Sequence, residues 1–220
     1  DRITIFPWGV DLETFNPSYS GFMRRQVGYE EDLLIVHTRS WEPRYGVDIA
    51  LKGFYLAYQR RKNLRMFMLG GGSQEKFVKG FVREKGLEDR VLFCGYKNNQ
   101  SLADYYRAGD VYLSASHIDG SSVALMEAMA CGCPALVSDI PSNLEWVEDS
   151  RQGWVFPDGN AEGLAEKIIQ IADSPDKITI HGKQARKKAE QAADWTRNFQ
   201  RLLETYKTIQ DRFIGRGADG

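Results

Sequence analysis

Residues 119–134 read Asp119-Gly120-Ser121-Ser122-Val123-Ala124-Leu125-Met126-Glu127-Ala128-Met129-Ala130-Cys131-Gly132-Cys133-Pro134. A polar loop runs straight into an apolar helical pattern, Val123–Ala130. Short apolar runs flank it, Val111–Ser114 before and Ala135–Ser138 after. That is a strand–loop–helix–strand unit, the building block of a parallel sheet. The loop offers free backbone N–H groups and the positive end of a helix dipole, which together suit an anion such as a diphosphate.

The same alternation extends in both directions. Strand patterns occur at Leu33–His37, Leu64–Leu69, Val91–Cys94 and Trp154–Phe156. Most are continuous apolar runs, as expected of strands buried on both faces. Helical patterns lie at Val47–Arg60, Gln74–Lys85, Ser101–Ala108, Asn143–Glu148 and Ala161–Ala172. The prediction is an α/β, Rossmann-like open parallel sheet with helices on both faces, followed by C-terminal helices. In such sheets ligands bind at the carboxyl ends of the strands, so the loops there hold the candidate residues. The charged stretch Lys183–Ala193 reads as helical. Phe199, Leu202, Leu203, Tyr206 and Ile209 form a helical stripe that packs on the domain or crosses to another one. Residues 3–6 read as strand-like.

Composition narrows the function classes. The 220 residues are 42% hydrophobic and 27% charged with a net charge of −1, so no global field recruits nucleic acid or an acidic membrane. No apolar run approaches the ~18 residues of a membrane span. The three cysteines, Cys94, Cys131 and Cys133, do not make a disulfide framework. Cys131-Gly-Cys133 lacks a second pair or a histidine cluster, and no metal site is expected. A reducing, cytoplasmic compartment fits this cysteine usage. The chain begins with Asp1, as a piece of a longer protein would.

Gly70-Gly71-Gly72 follows a strand, but Glu75 stands where a dinucleotide fingerprint needs its last glycine, and no P-loop pattern exists. The triplet is either a tight turn or a point where a ligand nears the backbone. Arg39 follows the first strand and Arg44 lies five residues on. A guanidinium there suits bidentate phosphate binding, unless it merely pairs with an acid such as Glu42. Asp119 precedes the helix by eight positions relative to Glu127. Glu127 has Ala, Leu and Met neighbours, so its carboxylate is expected to be buried against a partner or ligand. Two acids flanking an anion site can hold hydroxyl-bearing groups on either side of a diphosphate, and a nucleotide sugar has that shape. Asn143 and Glu145 either face this cleft or are a cap and a surface acid.

Asp119–Pro134, with Val137-Ser138-Asp139 and Glu145 after it, resembles the donor-site signature of GT-B glycosyltransferases of the family-4 type. Pro7-Trp8-Gly9-Val10-Asp11 with Phe15 and Pro17 is similar to that family's interdomain segment. Arg39 through Gly46-Val47-Asp48 is similar to its arginine loop, Val91–Gly95 and Leu102–Asp110 to its base-binding region. Gly153, Asp158, Trp195 and Tyr206 continue the match. The resemblance implies a linker over residues 1–18, a nucleotide-sugar-binding domain over 19–211 and a mobile tail over 212–220.

It also implies that Arg39 and Asp119 are catalytic. Donor binding falls to Arg44, Tyr45, Gly71, Gly95, Tyr96, Lys97, Gly120, Ser121, Ser122, Val123 and Glu127. In that scheme Glu127 holds the ribose, Gly95–Lys97 the base, and the amides of Ser121, Ser122 and Val123 with Arg39 the diphosphate. No metal or other cofactor is implied. The acceptor, a sugar, lipid or protein, would bind a missing N-terminal domain, which leaves peripheral membrane association open. Transfer would retain the anomeric configuration. Two positions depart from the pattern: Asp119 replaces a glutamate, and Tyr45 replaces a lysine. Either Arg44 supplies the missing cation or the diphosphate is held with one charge fewer. A non-catalytic nucleotide-sugar-binding module and a GT-B epimerase or phosphorylase are the competing expectations.

Overall fold

The computed structural model describes residues 3–5, 8–18 and 31–217. Six strands, β1 (Leu33–His37), β2 (Leu64–Leu69), β3 (Val91–Gly95), β4 (Val111–Ser114), β5 (Ala135–Ser138) and β6 (Gly153–Phe156), form one parallel sheet in the order β3-β2-β1-β4-β5-β6. Every position of β1, β4 and β5 is buried, the physical reason their sequences are unbroken apolar runs. β3 runs one residue beyond its sequence pattern and β6 begins one residue earlier.

The crossover helices are α1 (Val47–Arg60), α2 (Glu75–Glu84), α3 (Asn99–Ala108), α4 (Val123–Ala130), α5 (Pro141–Leu144) and α6 (Ala161–Ala172), followed by α7 (Pro175–Ala192) and α8 (Trp195–Gly217). Alternate strand residues feed two cores. Leu33, Ile35, Met66 and Leu113 pack with Phe54, Val78 and Leu164 on one face. Leu34, Val36, Phe67 and Tyr112 pack with Tyr106, Leu125, Met129 and Ala185 on the other. The predicted fold class is the observed one.

Several sequence expectations change; the charged helix expected at Lys183–Ala193 begins at Pro175, and α3 begins at Asn99 rather than Ser101. The helix expected at Asn143–Glu148 is the short α5. Pro141 fixes its start two residues earlier, and the Gln152 side chain accepts from the Glu148 N–H (3.0 Å), drawing that amide out of a helix. Residues 3–5 carry no strand, and Ile3 and Ile5 are exposed; Phe6 and Pro7 lie outside the described residues. The segment 8–18 is tied down instead by a backbone bridge, Val10 N donating to Ala193 O and Trp195 N to Val10 O, and by side chains. Arg107 donates to Thr14 O and Asn16 O, Arg186 to Phe15 O, and Trp8 stacks on Trp195. α8 reaches Gly217, and 218–220 lie outside the described residues. Among the described residues no helix is long and apolar enough to cross a membrane.

Candidate functional site

The strand order reverses between β1 and β4, since chain connections leave β1 toward β2 and resume at β4. The crevice outside the carboxyl ends of these two strands is the expected ligand position of an open α/β sheet. Arg39 leaves β1 there, and residues 119–122 approach it from β4 into α4. Arg39 Nη2 lies 2.8 Å from Asp119 Oδ2 and Nη1 donates to Ser122 Oγ at 3.3 Å. Both charged side chains are about nine-tenths buried, at 10% and 11% exposure. The contact is an ion pair without an aligned hydrogen bond, and Arg39 Nε is buried with no partner. Glu42, the acid named as an alternative partner for Arg39, is held by Ser73, whose N–H and hydroxyl donate to it at 2.8 and 2.5 Å. These two bonds lower the Glu42 pKa.

Ser122 caps α4: its Oγ accepts from Leu125 N at 3.4 Å. Val123 and the following amide open the helix and have no intrahelical acceptor. Gly120 N donates back to Asp119 Oδ1 at 2.9 Å, which fixes the acid's orientation. Gly120 and Val123 are exposed and Ser121 is half-buried.

Glu127 is half-buried on the otherwise apolar α4. Its Oε2 accepts from the Tyr106 hydroxyl at 3.0 Å, and that hydroxyl is 2.9 Å from Thr38 Oγ1. Burial pushes the Glu127 carboxyl up to about 7, against the pull of the Tyr106 bond. The two carboxylate oxygens expected to be available for two hydroxyls are therefore unequal, because one already has a protein donor. Among the described residues Oε1 has none. Tyr106 and Thr38 are the residues that sequence reasoning missed. The signal was Tyr106 on the buried face of α3 with Ala103, since a buried phenol generally finds a polar partner.

Arg44, Tyr45, Gly71 and Tyr96 lie together. With Ser40, Glu42, Pro43 and Gly72 they line a cavity of about 570 Å³. Tyr45 joins it to the crevice, since its ring centroid is 4.1 Å from Arg39 Cζ. The glycine triplet divides between its two readings. Gly70 has φ 87° and a Cβ on Gly72 would lie 2.6 Å from Trp41 O, so these serve the turn. Gly71 faces the Tyr96 hydroxyl. Gly95 is exposed with open space at its Cβ position. The Lys97 ammonium lies over the Tyr105 ring at 5.7 Å and does not line this cavity. Asn143 is fully buried and donates to Ser138 O and Oγ at 3.0 and 3.2 Å. Glu145 lines a separate cavity beside α7. Neither joins the crevice, because the Ser138 bonds turn Asn143 inward.

His37, at the end of β1, is completely buried with neither ring nitrogen partnered. Burial, then the charge of Arg39, lowers its pKa to about 3, so it stays neutral. Positive charge in the crevice therefore comes from the arginines and the start of α4. Cys131 and Cys133 are buried with Sγ atoms against backbone carbonyls. Among the described residues no group of three His, Cys, Asp or Glu side chains is placed to hold a metal ion.

This sheet order with its switch-point crevice defines a Rossmann-like open α/β domain. The family model "Glycosyl transferases group 1" matches residues 21–192, and the chain belongs to that family. It is 27% identical over 222 aligned residues to a D-inositol 3-phosphate glycosyltransferase from Saccharomonospora viridis, covering 96% of this chain and 51% of that protein. The chain spans about half the length of the curated relatives it matches. Its fold is similar to sucrose-phosphate synthase from Thermosynechococcus elongatus, with a TM-score of 0.85 at 24% identity, covering 95% of this chain and 53% of that one. It is also similar to Anabaena HepE, solved in complex with UDP-glucose, with a TM-score of 0.82 at 23% identity over 91% and 56% of the two chains.

Proposed function

We propose that these residues bind the nucleotide diphosphate sugar in a retaining, family-4-type glycosyltransferase, and that a domain outside them binds the acceptor. The observation that carries this reading is Arg39, which lies at the switch point within reach of both Ser122 at the α4 N-terminus and Asp119. A diphosphate placed there meets a guanidinium, the free amides that open α4 and, from the cavity side, Arg44. As the glycosidic bond breaks, negative charge grows on the departing β-phosphate. Preorganised donors aimed at that charge lower the barrier, and removing one typically costs ~3 kcal/mol. These groups supply positive charge at the leaving phosphate without a metal ion.

Glu127 Oε1 accepts from a ribose hydroxyl in this scheme, with Tyr106 holding the other oxygen. Gly95, Tyr96 and the backbone of Lys97 border the base. Asp119 has two uses in sequence. Without ligand it answers the Arg39 charge; when a phosphate takes Arg39, its carboxylate is released toward the sugar hydroxyls. The shorter side chain at this position, Asp in place of Glu, suits that exchange because it keeps the acid against Arg39.

Titration calorimetry of the chain with UDP, GDP and ADP tests the reading: at least one binds, and Glu127→Ala weakens it more than Asp119→Ala. The chain by itself transfers no sugar in a donor–acceptor assay. The Arg39–Asp119 pair also supports a second reading, a binding module whose phosphate cation is already neutralised. A longer protein containing these residues that binds donor but transfers to no acceptor would favour it.

A further inference from the structure

Tyr45 has two guanidiniums over its ring. Its ring centroid is 4.1 Å from Arg39 Cζ and 5.0 Å from Arg44 Cζ. Two like charges repel, yet the negative face of an aromatic ring attracts each of them. The backbone under the ring is fixed. Pro43–Tyr45 is a 3₁₀ turn, Tyr45 N donates to Glu42 O at 2.9 Å, Gly46 N to Pro43 O at 3.0 Å, and Arg44 O accepts from His117 N at 2.9 Å. Gly46 has φ 59°, and a Cβ there would lie 1.9 Å from Ala115 O, so the turn is pressed against the end of β4.

The two arginines differ in what answers them. Arg39 is nearly buried and paired with Asp119. Arg44 is exposed at the cavity, and among the described residues no carboxylate pairs with it. The nearest acid on its own turn, Glu42, is engaged by Ser73. One ring thus carries a guanidinium ion-paired with Asp119 and another that has no ion pair among the described residues and feels the Glu42 charge only at longer range.

We propose that Tyr45 is a positioning residue: its ring spaces Arg39 and Arg44 as a clamp for two adjacent phosphate groups, so that the site selects a diphosphate over a monophosphate. This rests on the donor-binding reading above. Arg44 meets the first phosphate with no close ion pair to break. The second phosphate then takes Arg39 from Asp119. No step changes a covalent bond; the ring only limits where two flexible cations can sit, which lowers the ordering cost of binding.

The test compares the chain with Tyr45→Leu, Tyr45→Phe and Arg44→Gln variants. Calorimetry measures the nucleoside diphosphate that binds among UDP, GDP and ADP, together with its monophosphate. Ligand-observed NMR measures the parent nucleoside. Tyr45→Leu is expected to weaken the diphosphate about tenfold, the monophosphate less, and the nucleoside not at all. Tyr45→Phe regains most of the loss. In an Arg44→Gln background the Tyr45→Leu change costs less than in the parent chain, because the ring acts through that arginine. Equal loss for nucleoside and diphosphate would mean that the ring touches the base, and an unchanged diphosphate affinity would mean that it only packs; either overturns the clamp while leaving the donor reading intact. If Tyr45→Leu fails to fold, Arg44→Gln decides: it must lower diphosphate affinity without altering nucleoside affinity. Absence of binding to the unaltered chain by all three diphosphates overturns the donor reading and the clamp together.

Discussion

The Tyr106 hydroxyl donates to Glu127 Oε2 at 3.0 Å while lying 2.9 Å from Thr38 Oγ1, one residue before Arg39. The Glu127 side of the crevice is thus joined through one phenol to the strand end that carries Arg39. This pairing gives Glu127 a fixed orientation, and its burial gives it a carboxyl that titrates at about 7.

A pH dependence follows from that value. The Glu127 carboxyl binds its proton more tightly in the folded chain than in the unfolded one, where 4.5 applies. Stability from this group is present below pH 4.5 and is lost as pH rises through about 7. Glu127→Gln is therefore expected to match the parent chain at low pH and to exceed it above pH 7, by up to about 3 kcal/mol. Urea denaturation at several pH values measures this. Nucleotide affinity should move oppositely, rising with pH more steeply in the parent chain than in Glu127→Gln, where only the ligand's terminal phosphate titrates, because the ionised carboxylate is the better acceptor for ribose. The same affinity profile in both would remove Glu127 from the ribose site.

Arg39→Gln removes the guanidinium that contacts both Asp119 and Ser122. Nucleoside diphosphate binding should weaken by about 2 kcal/mol, the scale of a hydrogen bond to a charged group. Asp119→Asn should have a smaller effect on nucleoside diphosphate and a larger one on the intact nucleotide sugar. Competition titrations with the two ligands separate these outcomes.

Gly46→Ala places a methyl 1.9 Å from the Ala115 carbonyl oxygen in a residue with φ 59°. Backbone cannot yield as a flexible side chain would. The expected cost is about 2 kcal/mol or more in chemical denaturation, accompanied by loss of nucleotide binding because the same turn carries Arg44 and Tyr45.

Asn143→Leu provides a contrast. Its amide donates to Ser138 O and Oγ inside the fold, away from the crevice. Stability should fall by about 1–3 kcal/mol, the cost of leaving buried polar groups unpartnered, while nucleotide affinity of the folded protein stays at the parent value.

The parts of this molecule readable from sequence are those set by local periodicity. β1, β4 and β5 are apolar runs because both of their faces are covered, β2 is one apart from Arg65, and α1, α4 and α6 keep the boundaries of their patterns. Where a side chain from elsewhere in the chain captured an amide, as Gln152 does with Glu148, periodicity gave the wrong helix. The site shows the same division. Arg39, Asp119 and Glu127 stand out by residue type at strand ends and on an apolar helix. Their partnerships do not: Arg39 meets an acid 80 positions away, and Glu127 meets Tyr106 across two elements. Such pairs are made by the β4 crossover, and one sequence carries no local mark of them. Asn143 shows the converse, a polar residue after a strand that turned inward to hold a loop.

The most direct measurement is a calorimetric titration of the chain with UDP, GDP and ADP at two salt concentrations. The account predicts that at least one nucleoside diphosphate binds, that raising the salt weakens it through the arginine contacts, and that Glu127→Ala lowers its affinity. No binding of any of the three at millimolar concentration, by a chain shown to be folded, would contradict it.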